Sequence, residues 1–279
     1  MLEKPWILVR GAGDLATGVL VRLARCGFRV CALECPNPSA IRRKAAFCEA
    51  VWQGRAEVEG LVCQRIDRPE QAEEAARQGI IPLLIDETCA CGAVLHPAAV
   101  VDAILAKKNL GTTRALAPIT IGLGPGFTAG ADVDAVVETM RGHHLGRVIL
   151  DGPAIPNTGI PGNIGGYTAQ RVIHAPASGP MVFVPDEKGT TIDIGAIVTE
   201  GQIIARVGDT PVYASLTGVL RGLIREGYPV TKGLKIADID PRLEQTSCCD
   251  TVSDKARSIG GGVVEALLLL AAQKNISLL

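Results

Sequence analysis

Aromatic residues make up only 3% of the 279-residue sequence. Large rings therefore cannot dominate its core, and Val, Ile, Leu and Ala must fill it. A prevailing charge is also missing: Lys plus Arg number 28, Asp plus Glu 29, and the net charge is −1. Nothing in that balance favours nucleic acid or an anionic membrane surface. No secretory leader is recognisable, because Met1-Leu2-Glu3-Lys4-Pro5-Trp6 sets a charge pair before one short apolar run. The longest late apolar run, Val263 to Ala272, is interrupted by Glu265. It falls far short of the roughly 20 residues that span a bilayer and reads as a buried helix. The 9 cysteines are odd in number and come after no leader, so reduced thiols in a cytoplasmic protein are expected.

Hydrophobic residues account for 47% and charged residues for 20%, values that suit a globular chain with room for two cores. Trp6 to Val9 has strand length. A glycine-rich turn comes next, then apolar residues at helical spacing from Leu15 to Ala24, a stop at Gly27, and a second strand from Val30 to Leu33 ending at Glu34. Ile80 to Ile85 is a continuous apolar run of the kind seen in buried parallel strands. Helices are predicted over Ile41 to Val51, Pro69 to Gln78, Pro97 to Lys108 and Val133 to Met140. The alternation implies an α/β fold, a Rossmann-like doubly wound parallel sheet, over residues 1–112. A glycine-rich α/β segment is expected over 113–172. From 173 to 245 the pattern changes to short strands punctuated by glycine, which predicts a small β barrel-sandwich of biotinyl/lipoyl type. Its central hairpin, Val207 to Pro211, has no lysine, which disfavours covalent biotin or lipoate. Residues 246–279 are expected to form a C-terminal helix, broken at Gly260-Gly261-Gly262, that docks on the α/β part.

The first turn, Gly11-Ala12-Gly13-Asp14-Leu15-Ala16, is a G-x-G-x-x-A match between a strand and a helix, the context the dinucleotide fingerprint requires. Gly11 would permit the tight turn, Gly13 the approach of a pyrophosphate, and Ala16 close packing of helix on strand. Glu34, about 20 residues on, is placed to accept from ribose hydroxyls, and Arg42 and Arg43 could meet an additional phosphate. NAD(P) or a related nucleotide is the expected cofactor. A second segment, with Gly124, Gly126, Phe127 and Thr128, has no Walker lysine but could form an anion nest; tight turns capped by Asp132 and Asp134 are the alternative. Asp151-Gly152-Pro153-Ala154 and Asn157 to Gly162 could face the same cleft. His143-His144 lacks metal-ligand spacing, Cys89-Ala90-Cys91 with His96 is a weak soft-metal pattern, and no metal site is expected. Cys248-Cys249 has polar flanks that suggest exposure, and Cys249 is the candidate chalcogen-accepting, catalytic thiol.

Several of these segments together resemble the YqeB family. They are Arg10 to Gly18, Pro38 to Arg43 with Glu49-Ala50-Val51, Leu123 to Gly130, Val136 to His143, Pro156 to Gly162, Gly218 to Ile224 and Ser253 to Arg257. The resemblance covers nearly the whole chain. It implies an accessory role in maturing selenium-dependent molybdenum hydroxylases, with such a hydroxylase or its maturation proteins as partners. Xanthine dehydrogenase accessory proteins offer a parallel at fold and pathway level. The molybdenum cofactor, a phosphorylated pterin often joined to a nucleotide, would then be a second cofactor candidate near Gly124 to Gly130. An NAD(P)-dependent oxidoreductase acting on a small metabolite and a non-catalytic scaffold docking a hydroxylase subunit are the alternatives. A homo-oligomer is compatible with each.

Overall fold

The computed structural model describes residues 4–159, 162 and 164–279. Ile160 and Pro161, within the predicted cleft segment, lie outside the described residues. The chain divides into two compact units, one comprising Met1–Pro38, Ala46–Thr158 and Val252–Leu279, the other Ser39–Ala45 and Gly159–Thr251.

The first unit is mixed α/β. In chain order its elements are β1 (Trp6–Arg10), α1 (Asp14–Arg25), β2 (Arg29–Glu34), α2 (Ala50–Gln53), β3 (Arg55–Val58), β4 (Leu61–Arg65), α3 (Ala72–Arg77), β5 (Ile81–Ile85), α4 (Gly92–Leu95), β6 (Ala99–Asp102), β7 (Ile119–Leu123), β8 (Thr128–Ala129), β9 (Ala135–Val137), β10 (Val148–Ile149), β11 (Gly152–Pro153) and α5 (Asp254–Lys274). Nine strands form one sheet in the order β10-β9-β7-β6-β1-β2-β5-β4-β3. All neighbours are parallel except the antiparallel margins, β10 on β9 and β3 on β4. The order turns back at β1, which lies between β2 and β6, so the carboxyl ends of β1 and β6 flank a topological switch point.

Strand β1 is buried along its length, as expected for a strand covered on both faces. Each fully buried Ile or Leu there stabilises the fold by roughly 1.5–3 kcal/mol. The long α5 crosses α1 at small residues. A Cβ on Gly18 would lie 2.6 Å from the Ala256 Cβ, and one on Gly260 2.9 Å from the Gly18 carbonyl oxygen. Gly260, and Gly262 against the Gly146 carbonyl, are therefore close-contact positions inside a continuous 21-residue helix, not the predicted break. Ser253 caps that helix by accepting from the Ala256 amide at 3.1 Å. By length and composition α5 could cross a membrane, yet half of its apolar window is buried within the protein, as in a core helix.

Three predicted helices are replaced. Pro97 to Lys108 holds β6 and a loop, and Val133 to Met140 holds β9. Within them Ala98 to Val101 and Ala135 to Val137 are short, buried apolar runs, which periodicity alone does not distinguish from helix. Ile41 to Val51 forms tight turns at Arg43–Ala45 and Phe47–Glu49 before the four-residue α2.

The second unit contains β12 (Val172–His174), β13 (Gly179–Phe183), β14 (Ile197–Val198), β15 (Ile203–Val207), β16 (Thr210–Tyr213), β17 (Gly218–Leu223), β18 (Pro229–Val230) and β19 (Lys235–Asp240). They form two four-stranded antiparallel sheets, β12-β19-β17-β14 and β16-β15-β13-β18. One aliphatic core unites them, with Met181, Ile204, Leu220, Leu223 and Ile236 at its centre.

Candidate functional site

The first glycine-rich turn leaves β1 at the carboxyl edge of the parallel sheet. Gly11 has φ +99°, and its amide donates to the Leu33 carbonyl at 2.6 Å. A Cβ there would stand 2.9 Å from the Ala103 carbonyl oxygen, so glycine is required by the protein's own backbone. The Ala12 amide donates to Glu34 Oε2 at 2.7 Å, and the Cys35 amide to Glu34 Oε1 at 2.9 Å. Glu34, predicted to hold a ribose, thus fastens the turn to β2. Gly13 is extended and precedes α1 with no side-chain cap. The amides of the first turn of α1 have no intrahelical acceptor. Gly13, Asp14 and Leu15 are partly exposed there, whereas Gly11, Ala12 and Ala16 are buried.

The switch point beside this turn is occupied by protein groups. Arg10 and Asp102, each 2% exposed, pair at 3.3 Å (Nη1 to Oδ2). Arg10 also donates to Thr112 Oγ1, to the Glu87 carbonyl at 2.7 Å and to the Leu110 carbonyl at 3.2 Å. Thr112 Oγ1 in turn donates to Asp102 Oδ2 at 2.6 Å. The loop from Ala103 to Thr112 is thereby held over the ends of β1 and β6. Sequence reasoning missed this network. Its signal was a charged residue ending each of two apolar strands.

The second glycine-rich segment closes on itself. Phe127 is 4% exposed and joins Ala129, Val133, Val136 and Ala154 in a small core; it lies directly where a Gly122 side chain would be. Thr139 stands similarly against Gly124, and the Lys108 backbone lies 2.8 Å from a Cβ placed on Gly126. The Thr128 amide donates to Asp132 Oδ2 at 2.8 Å. Asp134 accepts from the Thr120 amide at 2.9 Å and pairs with Lys274 at 2.9 Å and Arg114 at 3.0 Å. Burial opposes its charge, but the Lys274 and Thr120 hydrogen bonds outweigh that and hold its carboxyl below the usual range. Nearby, a cavity of about 590 Å³ is lined by Glu138, His144, Arg147, Leu150, Asp151 and Ile155, among others, and by none of Gly124 to Thr128. The Glu138 carboxylate accepts from the Thr139, Met140 and Ile155 amides at 2.6–2.8 Å.

Arg42, Arg43 and Cys249 lie in the other unit. Arg42 donates to the Cys248 and Thr251 carbonyls at 3.3 and 3.1 Å. Arg43 donates to the Leu223 carbonyl at 2.7 Å and pairs with Asp193. Cys249 is 4% exposed within the aliphatic core, against the exposure its polar sequence neighbours suggest. Burial pushes its thiol up, although Arg221, Arg42 and Lys44 pull the other way. Among the described residues no group of three or more His, Cys, Asp or Glu side chains is placed to hold a metal ion.

No family model matches the chain. Over 267 residues, 96% of its length, the chain is 49% identical to the "Uncharacterized protein YqeB" of Escherichia coli strain K12. It covers 48% of that protein, so it spans about half the length of the curated relative it matches. Among solved structures, it is similar to a succinylglutamate desuccinylase/aspartoacylase from Rhodobacter sphaeroides, at 16% identity, 85% and 86% coverage of the two chains and a TM-score of 0.25. The ectoine utilization protein EutE (DoeB) of Ruegeria pomeroyi gives 13%, 85% of each chain and 0.23. Likenesses this slight define neither fold nor function.

Proposed function

We propose that the first unit is a Rossmann-type domain that binds a phosphate-bearing nucleotide at the first turn of α1. In this reading the chain serves as an accessory protein in maturing a selenium-dependent molybdenum hydroxylase, and the two antiparallel sheets form the barrel-sandwich the sequence suggests. One observation carries the binding reading: the partly exposed Gly13 and Leu15 open α1 at the carboxyl edge of a parallel sheet, where the strand order turns back. Amides at such a helix start and the helix dipole together favour an anion. The maturation role rests on the similarity to YqeB and the segments that carry it.

The fit limits the ligand. A phosphate can be held by the amides of Gly13 and Leu15, while Glu34 retains carboxylate lone pairs beyond its two backbone bonds. The far half of an extended dinucleotide would have to enter the switch point, where Arg10, Asp102 and Thr112 are packed. A mononucleotide, or the nucleotide end of the molybdenum cofactor, therefore suits the site better than NAD(P), and hydride transfer is the weaker reading. Cys249 is too deeply buried to favour it as the acceptor thiol.

Calorimetric titration of the purified chain with AMP, NAD⁺, NADP⁺ and inorganic phosphate tests the binding. Saturable binding of the mononucleotide, weakened in Gly13→Glu, is expected. Absence of saturation with all four would remove the ligand-centred reading. The pathway is tested separately, by capture of a hydroxylase subunit from cells grown with and without selenium.

A further inference from the structure

We propose that the cavity of about 590 Å³ beside β10 binds a small aliphatic zwitterion, either a free amino acid or a short peptide. Arg147 takes its carboxylate, Asp151 its ammonium group, and Leu150 and Ile155 its side chain. This site is independent of the nucleotide reading and shares no residue with it.

The cavity is built within one unit, from the end of β9 to the residues just after β11. Its volume falls in the range of about 300–1,000 Å³ that small-molecule sites occupy. Its frame is fixed before any ligand arrives. Glu138 is 1% exposed and ties the walls together, accepting from the Thr139 and Met140 amides on one side and from the Ile155 amide on the other. The Arg147 amide donates to the His144 carbonyl at 3.0 Å, and the Arg147 carbonyl accepts from the Glu138 amide at 2.9 Å. The long Arg147 side chain therefore starts from an anchored backbone. The His144 ring stands edge-on to His143, with ring centres 5.1 Å apart.

What this frame leaves unmatched points to the ligand. Arg147 and Asp151 are both exposed and line the same cavity. Neither side chain has a hydrogen-bond or ion-pair partner among the described residues, so the opposite charges do not pair with each other. A ligand carrying both charges satisfies both, and a guanidinium facing a carboxylate makes one of the strongest polar pairs. With histidine counted as neutral, the charged lining residues are Arg147 against Asp151 and Glu138. That excess of negative charge disfavours a ligand with a carboxylate alone, while an ammonium alone leaves Arg147 unmatched. The rest of the wall is aliphatic. Leu150 and Ile155 are 44% and 40% exposed, and covering such surface with a branched side chain is favourable.

Titration of leucine and of leucyl-leucine, followed by the methyl resonances of Leu150 and Ile155, tests this. Saturable shifts of both are expected, with the buried Ile7 of β1 unmoved, and whichever compound saturates at the lower concentration names the source. Isocaproate, which lacks the ammonium group, and isopentylamine, which lacks the carboxylate, should each bind about tenfold or more weakly than leucine. Asp151→Asn should weaken leucine by about the same factor while leaving isocaproate no weaker than before. Arg147→Gln should likewise weaken leucine and spare isopentylamine. Both side chains are exposed and without partners among the described residues, so both variants should keep the wild-type melting temperature. No saturation with either zwitterion, isocaproate or isopentylamine binding as tightly as leucine, or leucine affinity unchanged in both variants would overturn the assignment.

Discussion

The two glycine-rich turns of the first unit look alike in sequence but lead into different elements. Gly11 to Ala16 runs into the twelve-residue α1, whose first amides have no partners within the helix. Gly122 to Gly130 runs into the short strands β8 and β9, and its polar groups are met by Asp132, Asp134 and neighbouring backbone. Yet both turns owe a glycine to one cause. The loop from Ala103 to Thr112 passes over each, with Ala103 against Gly11 and Lys108 against Gly126. Glycine therefore reports the close approach of a backbone, and the element after the turn decides whether amides remain for a ligand.

Breaking the shared loop should have the largest effect. Arg10→Ala leaves Asp102 buried without its cation, so a loss of about 3–5 kcal/mol is expected from denaturant unfolding. A loss below about 1 kcal/mol would mean the network does not hold the loop. Gly126→Ala is expected to cost roughly 1–3 kcal/mol, because φ is +113° and the new Cβ meets the Lys108 backbone. Nucleotide affinity should be unchanged; a parallel loss of binding would place the ligand at the second turn.

Acid sharpens the contrast next. The lowered pKa of Asp134 makes its contribution complete above the unfolded value of about 3.9, and it fades as pH falls through the lower folded value. Asp134→Asn should therefore cost about 1–2 kcal/mol near neutrality and flatten the acid limb of a melting-temperature profile. An unchanged limb would assign the acid sensitivity elsewhere, to Glu59, Asp86 or Asp240, whose carboxyls are also held low. The smallest effect on stability is expected for Gly13→Glu, within about 0.5 kcal/mol, because Gly13 has an ordinary φ of −70°. Its carboxylate should nonetheless weaken nucleotide binding about tenfold or more. Full affinity in this variant would separate the ligand from α1.

Much of the frame was legible because β1, α1 and β2 combine an apolar run, a helical stripe and a terminating glycine in close succession. The helices predicted at Pro97 to Lys108 and Val133 to Met140 failed because residues such as Val100, Val101, Val136 and Val137 are buried on every side and carry no period. Gly260 to Gly262 read as a break because glycine is a poor helix former in isolation; the close crossing at Gly18 is a tertiary fact. Of the candidate site, Gly11 to Ala16 and Glu34 do converge, but the fastening role of Glu34 depends on the placement of β2 beside β1. Arg42, Arg43 and Cys249 were read from local chemistry alone, and chain topology carries them into the other unit. Phe127 was read as part of a nest, whereas its ring fills the space beside Gly122.

Amide shifts recorded during a titration with AMP test the central claim most directly. Saturable changes are predicted at Gly13, Leu15 and Ala16, with Gly124, Gly126 and Thr128 unmoved. Saturable changes confined to Gly124 through Thr128, or none at the start of α1, would contradict it.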